Sequence, residues 1–114
     1  MYQQITLAQH QLDAYNARDI DRFLECYAEN IQLMNFPDNT VFCSGKEEMR
    51  ARYGKMFEDK QSLHCRLVKR IVCGDFAIDE EEVDGLVDGR IVHATAIYEV
   101  RDNLIQKAWF IRGE

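Results

Sequence analysis

The chain has 114 residues, 46% hydrophobic and 30% charged, which excludes a disordered polymer and a large enzyme with a separate cofactor module. Twenty Asp and Glu against 14 Lys and Arg give a formal net charge of -6, the wrong sign for a surface that gains affinity from phosphate contacts, so no nucleic-acid partner is expected. One Pro and six Gly leave no room for a long flexible linker, and residues 1–114 read as one domain.

Ile5, Ala8, Leu12 and Tyr15 fall on one helical stripe, broken at Asn16-Ala17-Arg18. Asp19 is the expected N-cap of a second helix that buries Ile20, Phe23, Leu24 and Tyr27 and ends at Asn30. Residues 31–36 read as a strand, Pro37-Asp38-Asn39 as a turn and residues 41–43 as a second short strand. Ser44 and Glu47 have the spacing of a capping box, which opens a third helix burying Met49, Tyr53, Met56 and Phe57 and fading after Asp59. From His64 the period changes to two. Residues 65–73, 76–87, 90–101 and 104–112 read as four strands joined by tight turns, with a possible kink at Gly85. Three helices ahead of such a meander predict an α+β fold, with the helices packed on one face of a curved, mostly antiparallel sheet. Such an arrangement encloses a cone-shaped pocket suited to a small hydrophobic molecule.

The opening residues lack a basic segment followed by an apolar one, so no secretory signal is expected, and no run approaches the ~18 apolar residues of a membrane span. Cys26, Cys43, Cys65 and Cys73 form no C-x-x-C pair and no zinc spacing. They are expected to be buried free thiols in a reducing, cytoplasmic compartment. His64 and Cys65 are adjacent on a strand and point to opposite faces, so no metal site is expected, and no cofactor loop is present.

The helix junction Tyr15-Asn16-Ala17-Arg18-Asp19-Ile20-Asp21, then Cys26-Tyr27-Ala28-Glu29-Asn30-Ile31, Phe36-Pro37-Asp38, Gly45-Lys46-Glu47-Glu48-Met49-Arg50, Asp88-Gly89-Arg90 and residues 97–102 occur in order along nearly the whole chain. In this the sequence resembles the NTF2-like superfamily, in its SnoaL-like and ketosteroid-isomerase-like branch. The resemblance implies a cone fold and a homodimer. It leaves function open, because the superfamily hosts isomerases, cyclases, dehydratases and non-catalytic binding modules. Ketosteroid isomerases use a Tyr on the first helix, an Asp base on the first strand and a protonated Asp on the penultimate strand. In the register set by Asn16-Ala17 these places hold Gln11, Asn35 and Ala96, none of which can fill the role. Tyr53 matches a supporting Tyr of the third helix, and Tyr15 lies one turn from Gln11.

Asp79-Glu80-Glu81-Glu82 is an acidic run inside a predicted strand. Alternation puts Asp79 and Glu81 on one face and Glu80 and Glu82 on the other. The isomerase-like register selects Glu81 as the inward carboxylate, with Val83 and Gly85 as its same-face neighbours. Desolvation in an apolar cone would raise its pKa and suit it to general acid or base work. The competing expectations are a solvated acidic face, or an ion pair of Glu81 with Arg70 or Arg50. Tyr15, Asn35, Tyr53, Tyr98 and Phe110 are the candidate ligand contacts, although each Tyr also suits plain core packing and Asn35 also suits a turn cap. Trp109 and Phe110 point opposite ways, and the register puts Phe110 inside. Ile91, His93, Ile97 and Trp109 then share an outer face too apolar for water, which predicts sheet-to-sheet homodimerisation. Two readings of function follow: a cofactor-free isomerase, cyclase or dehydratase on a hydrophobic or polyketide-like substrate, with Glu81 as acid and base, or a non-catalytic ligand-binding or protein-interaction module.

Overall fold

A computed structural model describes residues 3–113. Three helices, α1 (Gln3–Ala17), α2 (Ile20–Leu24) and α3 (Lys46–Asp59), accompany six strands: β1 (Tyr27–Asn35), β2 (Val41–Ser44), β3 (His64–Cys73), β4 (Phe76–Val87), β5 (Arg90–Arg101) and β6 (Leu104–Arg112). The strands form one curved, unclosed sheet in the order β2-β1-β6-β5-β4-β3. All neighbours are antiparallel except β1 and β6, which run parallel and join the N-terminal hairpin to the meander. α1 packs across β3, β4 and β5, and α3 across β1 and β2, so the helices roof the concave face. This is the α+β cone expected from the element order.

The second helix is shorter than its hydrophobic period implies. Asp19 caps it as expected, accepting the Arg22 N–H at 3.2 Å, but the helix ends at Leu24. The Ile105 N–H donates to the Cys26 carbonyl at 2.8 Å and Tyr27 pairs with Ile105, so pairing to β6 overrides the helical phase and the strand begins at Tyr27, well before Asn30. Tyr27 keeps its buried position but reaches it from β1. The expected capping box does not form. Ser44 is held in the ladder opposite Gln32, and Gly45, with φ 86°, is the N-cap. Glu48, not Glu47, reaches back and accepts the Ser44 N–H at 3.0 Å. Of the four cysteines, Cys73 at the end of β3 is exposed rather than buried.

On β4, alternation holds from Ala77 to Val83, then a bulge interrupts the pairing to β5 before Val87. Gly85 sits there with φ 78°, and a Cβ at that position would collide with the Ser62 backbone. The bulge changes the parity, so Leu86 and not Gly85 faces inward beyond Val83.

On the convex face Val41, Met34, Trp109, Ile97, Ile78 and Ile71 are successive lateral neighbours, one per strand across the sheet. His93 is on the same face, paired with Glu80 at 2.7 Å, and Ile91 beside it is 58% exposed. Among the described residues no helix is long and apolar enough to cross a membrane.

Candidate functional site

Between the concave face and the helical roof lies a cavity of about 230 Å³. Its narrow end is aromatic. The Phe23 ring, carried in by α2, stands 5.1 Å from Tyr27, 5.1 Å from Tyr53 and 6.0 Å from Tyr15. Tyr98 and Phe110, from β5 and β6, continue the wall and meet edge to face at 6.5 Å. Thus Tyr15, Tyr53, Tyr98 and Phe110 all line the cavity, whereas Trp109 faces outward and donates its indole N–H to Asn39 at 2.9 Å.

Glu81 is the one carboxylate among the described lining residues, and it is only 8% exposed. The two cations that sequence offered it are engaged elsewhere. Arg70 clamps Asp79 with two hydrogen bonds of 2.7 and 2.9 Å, and is itself tied to Gln9 of α1 at 3.0 Å. Arg50 pairs with Asp21 on the surface at 2.8 Å. Among the described residues Glu81 therefore has no ion-pair partner. Burial, with the negative charge of Asp79 adding to it, pushes its carboxyl up to about 7, against a smaller opposing pull from the Cys65 thiol and Arg70.

Cys65 is placed by an unusual clamp. The Asn16 side chain accepts the Cys65 N–H at 2.8 Å and donates to its carbonyl at 3.0 Å, acting as one more strand at the free edge of β3. Burial and the neighbouring Glu81 charge raise the thiol pKa, so it stays protonated beside the carboxylate.

The tyrosines divide into two groups. Tyr27 donates its hydroxyl to Gln11 at 3.2 Å, and Gln11 in turn donates to the Ala8 carbonyl at 3.0 Å. The Tyr15, Tyr53 and Tyr98 hydroxyls have no protein hydrogen-bond partner among the described residues and are open to the cavity. Burial raises all three, Tyr53 to about 12, so they remain hydrogen-bond donors through the neutral range.

Asn35 stands outside the lining. Its carbonyl oxygen accepts from Arg112 at 3.1 Å, so it bears on the cavity through that side chain, which does line it. Of the other two places the isomerase comparison singled out, Gln11 lines the cavity while Ala96 lies sealed in the sheet opposite Phe110, leaving Ala94 in the wall. Sequence reasoning passed over Arg52, Arg112 and Cys65. Arg112 shares the parity of Phe110 on β6, and Arg52 falls on the stripe of Met49 and Met56 on α3, so both were legible as cations on an inward-facing pattern. Among the described residues no group of three His, Cys, Asp or Glu side chains gathers as a metal set.

The model of the SnoaL-like domain matches residues 8–108. The chain belongs to the SnoaL-like family. Solved structures with the same fold include an uncharacterised cystatin-fold protein from Novosphingobium aromaticivorans, with 22% identity and TM-score 0.88 over 98% of this chain and 99% of that one. A SnoaL-like protein of unknown function from Burkholderia thailandensis has 17% identity and TM-score 0.82 over 98% and 95% of the two chains. A candidate polyketide cyclase from Sinorhizobium meliloti has 18% identity and TM-score 0.79 over 93% and 94%. At these identities the likeness is one of fold. No curated protein matches the sequence. The SnoaL-like domain thus has the cone architecture read from its sequence, and a shared fold does not by itself assign a function.

Proposed function

We propose that this SnoaL-like domain is a cofactor-free acid–base enzyme, an isomerase, cyclase or dehydratase acting on a small hydrophobic or polyketide-like carbonyl compound. One observation carries the reading: Glu81 is a buried carboxylate in the cavity wall with no cation paired to it among the described residues, and its pKa is lifted to about 7, where it exchanges protons at neutral pH. In this role the Glu81 carboxylate removes a proton from a carbon next to the substrate carbonyl. A Tyr15, Tyr53 or Tyr98 hydroxyl donates a hydrogen bond to the oxygen that gains negative charge. The protonated Glu81 then returns the proton to another carbon or to a leaving hydroxyl. Phe110 packs against the apolar body, and Asn35 acts through Arg112.

The test is hydrogen–deuterium exchange at the α-carbon of 2-tetralone, a two-ring ketone, followed by NMR with the wild-type protein and Glu81→Gln. Wild type is expected to accelerate exchange along a titration centred at about 7, and Glu81→Gln to lose about a hundredfold of that rate. Equal rates for the two proteins sink the acid–base role. They would favour the second reading, a non-catalytic binding module, which is supported by Gln11, Asn35 and Ala96 falling, in the register the resemblance implies, where ketosteroid isomerases place catalytic groups.

The domain is further read as a homodimer through the convex face, because the six-strand apolar row and exposed Ile91 leave a broad surface that a two-fold copy would cover. Light scattering at micromolar concentration should give twice the chain mass for wild type and the single mass for Ile97→Asp. A monomeric wild type refutes the assembly. The four unpaired cysteines support a reducing, cytoplasmic setting for the single domain.

A further inference from the structure

At the mouth of the cavity two guanidinium groups converge on one ring. The Arg52 guanidinium carbon is 4.8 Å from the centre of Phe42, and that of Arg112 is 5.2 Å from the same ring and 5.6 Å from Phe110. They arrive from different elements, Arg52 from α3 and Arg112 from the end of β6. Both line the cavity, and both are exposed to solvent on their outer side. Asn35 fixes Arg112 by accepting from one of its terminal nitrogens at 3.1 Å.

Among the described residues Arg50, Arg66, Arg70 and Arg101 each pair with a carboxylate, whereas Arg52 and Arg112, like Arg18, Arg22 and Arg90, have none within salt-bridge reach, and of these five only Arg52 and Arg112 line the cavity. In a chain with six more acidic than basic groups, two arginines at one opening with no carboxylate partner among the described residues are the reverse of the overall charge balance. Their like charges repel, and an anion lying between them would relieve that repulsion while receiving forked hydrogen bonds. The rest of the described wall holds no other cation and is mostly aromatic and aliphatic, its polar groups being Gln11, Cys65, the tyrosine hydroxyls and the carboxyl of Glu81, so it disfavours a second anionic group.

We propose that the cavity mouth is a carboxylate subsite formed by Arg52 and Arg112, and that the ligand is a one- or two-ring apolar molecule bearing a single carboxylate. This rests on the cavity being the ligand site and names the class of compound it takes. The ring system enters the aromatic cone toward Glu81, and the carboxylate stays at the mouth. The cavity volume of about 230 Å³ sets the size. It exceeds the ~150 Å³ that accommodates benzene and is below the ~300–1,000 Å³ typical of sites for drug-sized ligands.

Calorimetric titration with 2-naphthoate and its neutral analogue 2-naphthamide tests the subsite. A pH of about 6 keeps the probe carboxylate ionised and Glu81 mostly protonated. Wild type should bind the naphthoate at least about tenfold more tightly than the amide, and the preference should shrink as salt is raised. Arg52→Gln combined with Arg112→Gln should remove the preference, with naphthoate affinity falling at least about tenfold more than amide affinity. Asn35→Ala, which frees Arg112 without removing it, should reduce the preference in the same direction. Equal binding of the two probes by wild type, or a preference that survives the double substitution, overturns the subsite. If the amide still binds, and Ala94→Trp blocks it by filling the cone, the cavity reading stands without the subsite. Binding of the amide that Ala94→Trp leaves intact, or no binding of either probe, overturns both.

Discussion

Arg70→Met is expected to lower the free energy of unfolding by about 3–5 kcal/mol, measured by urea denaturation with linear extrapolation. The Asp79 side chain is completely buried and that of Arg70 is 11% exposed, so water does little to screen the pair. The guanidinium meets the carboxylate in a two-bond fork and also holds Gln9, binding β3, β4 and α1 together. Removing the arginine leaves a carboxylate without a partner in the core, and its desolvation then has nothing to offset it. Arg70→Met combined with Asp79→Leu should recover much of the loss, because apolar groups of similar volume often replace a buried ion pair with little net cost. If the single substitution costs no more than about 1 kcal/mol, the pair behaves like a surface salt bridge and the burial argument fails. Loss of Arg70 also removes a positive charge that restrains the Glu81 carboxyl, so Glu81 should titrate higher in that variant.

The long-period features of this fold were legible because each reports a local rule. The last four strands are separated by tight turns that sequence marks directly, such as Asp88-Gly89, and their observed bounds match the reading almost to the residue. Strand parity put Asp79 with Glu81 and set Phe110 against Trp109, and the register implied by the family resemblance then chose Glu81 and Phe110 as the inward members, which line the cavity with Tyr98. The misplaced features are those decided by contacts distant in sequence. Tyr27 obeys a helical period, yet β6, some eighty residues later, captures its backbone as strand. The capping box expected of Ser44 and Glu47 does not form because Ser44 is committed to a ladder. Leu86 replaces Gly85 because the bulge between Val83 and Val87 breaks the alternation there. In the site, composition could offer Glu81 two arginines but not assign them. Which carboxylate each one takes depends on the three-dimensional order of β3, β4 and α1. The clamp of Asn16 on Cys65 spans 49 positions and has no local signature.

Glu81 should make the protein less stable as pH rises from about 4.5 to about 7, by about 3 kcal/mol, and Glu81→Gln should abolish that slope. In the unfolded chain this carboxyl loses its proton near the ordinary value of 4.5, whereas in the fold burial and Asp79 hold the proton until about 7. Between those values the native state carries a proton that the unfolded state has released. Each step up in pH therefore favours unfolding, and the penalty is complete above the native value. Below about 4.5 both states are protonated and Glu81 contributes nothing to the pH dependence. The measurement is the difference in unfolding free energy between Glu81→Gln and wild type at several pH values. The other titrating groups are common to both proteins and largely cancel. A fixed cost of placing an amide in the wall moves the whole difference curve without tilting it. The curve should rise in favour of Glu81→Gln through this window and level off above it. Asp79→Asn, by removing the negative charge next to Glu81, should draw the upper end of the window toward lower pH. A flat difference curve would mean that Glu81 ionises as freely in the fold as in water. That outcome would remove the physical basis for its acid–base role as well as for the slope.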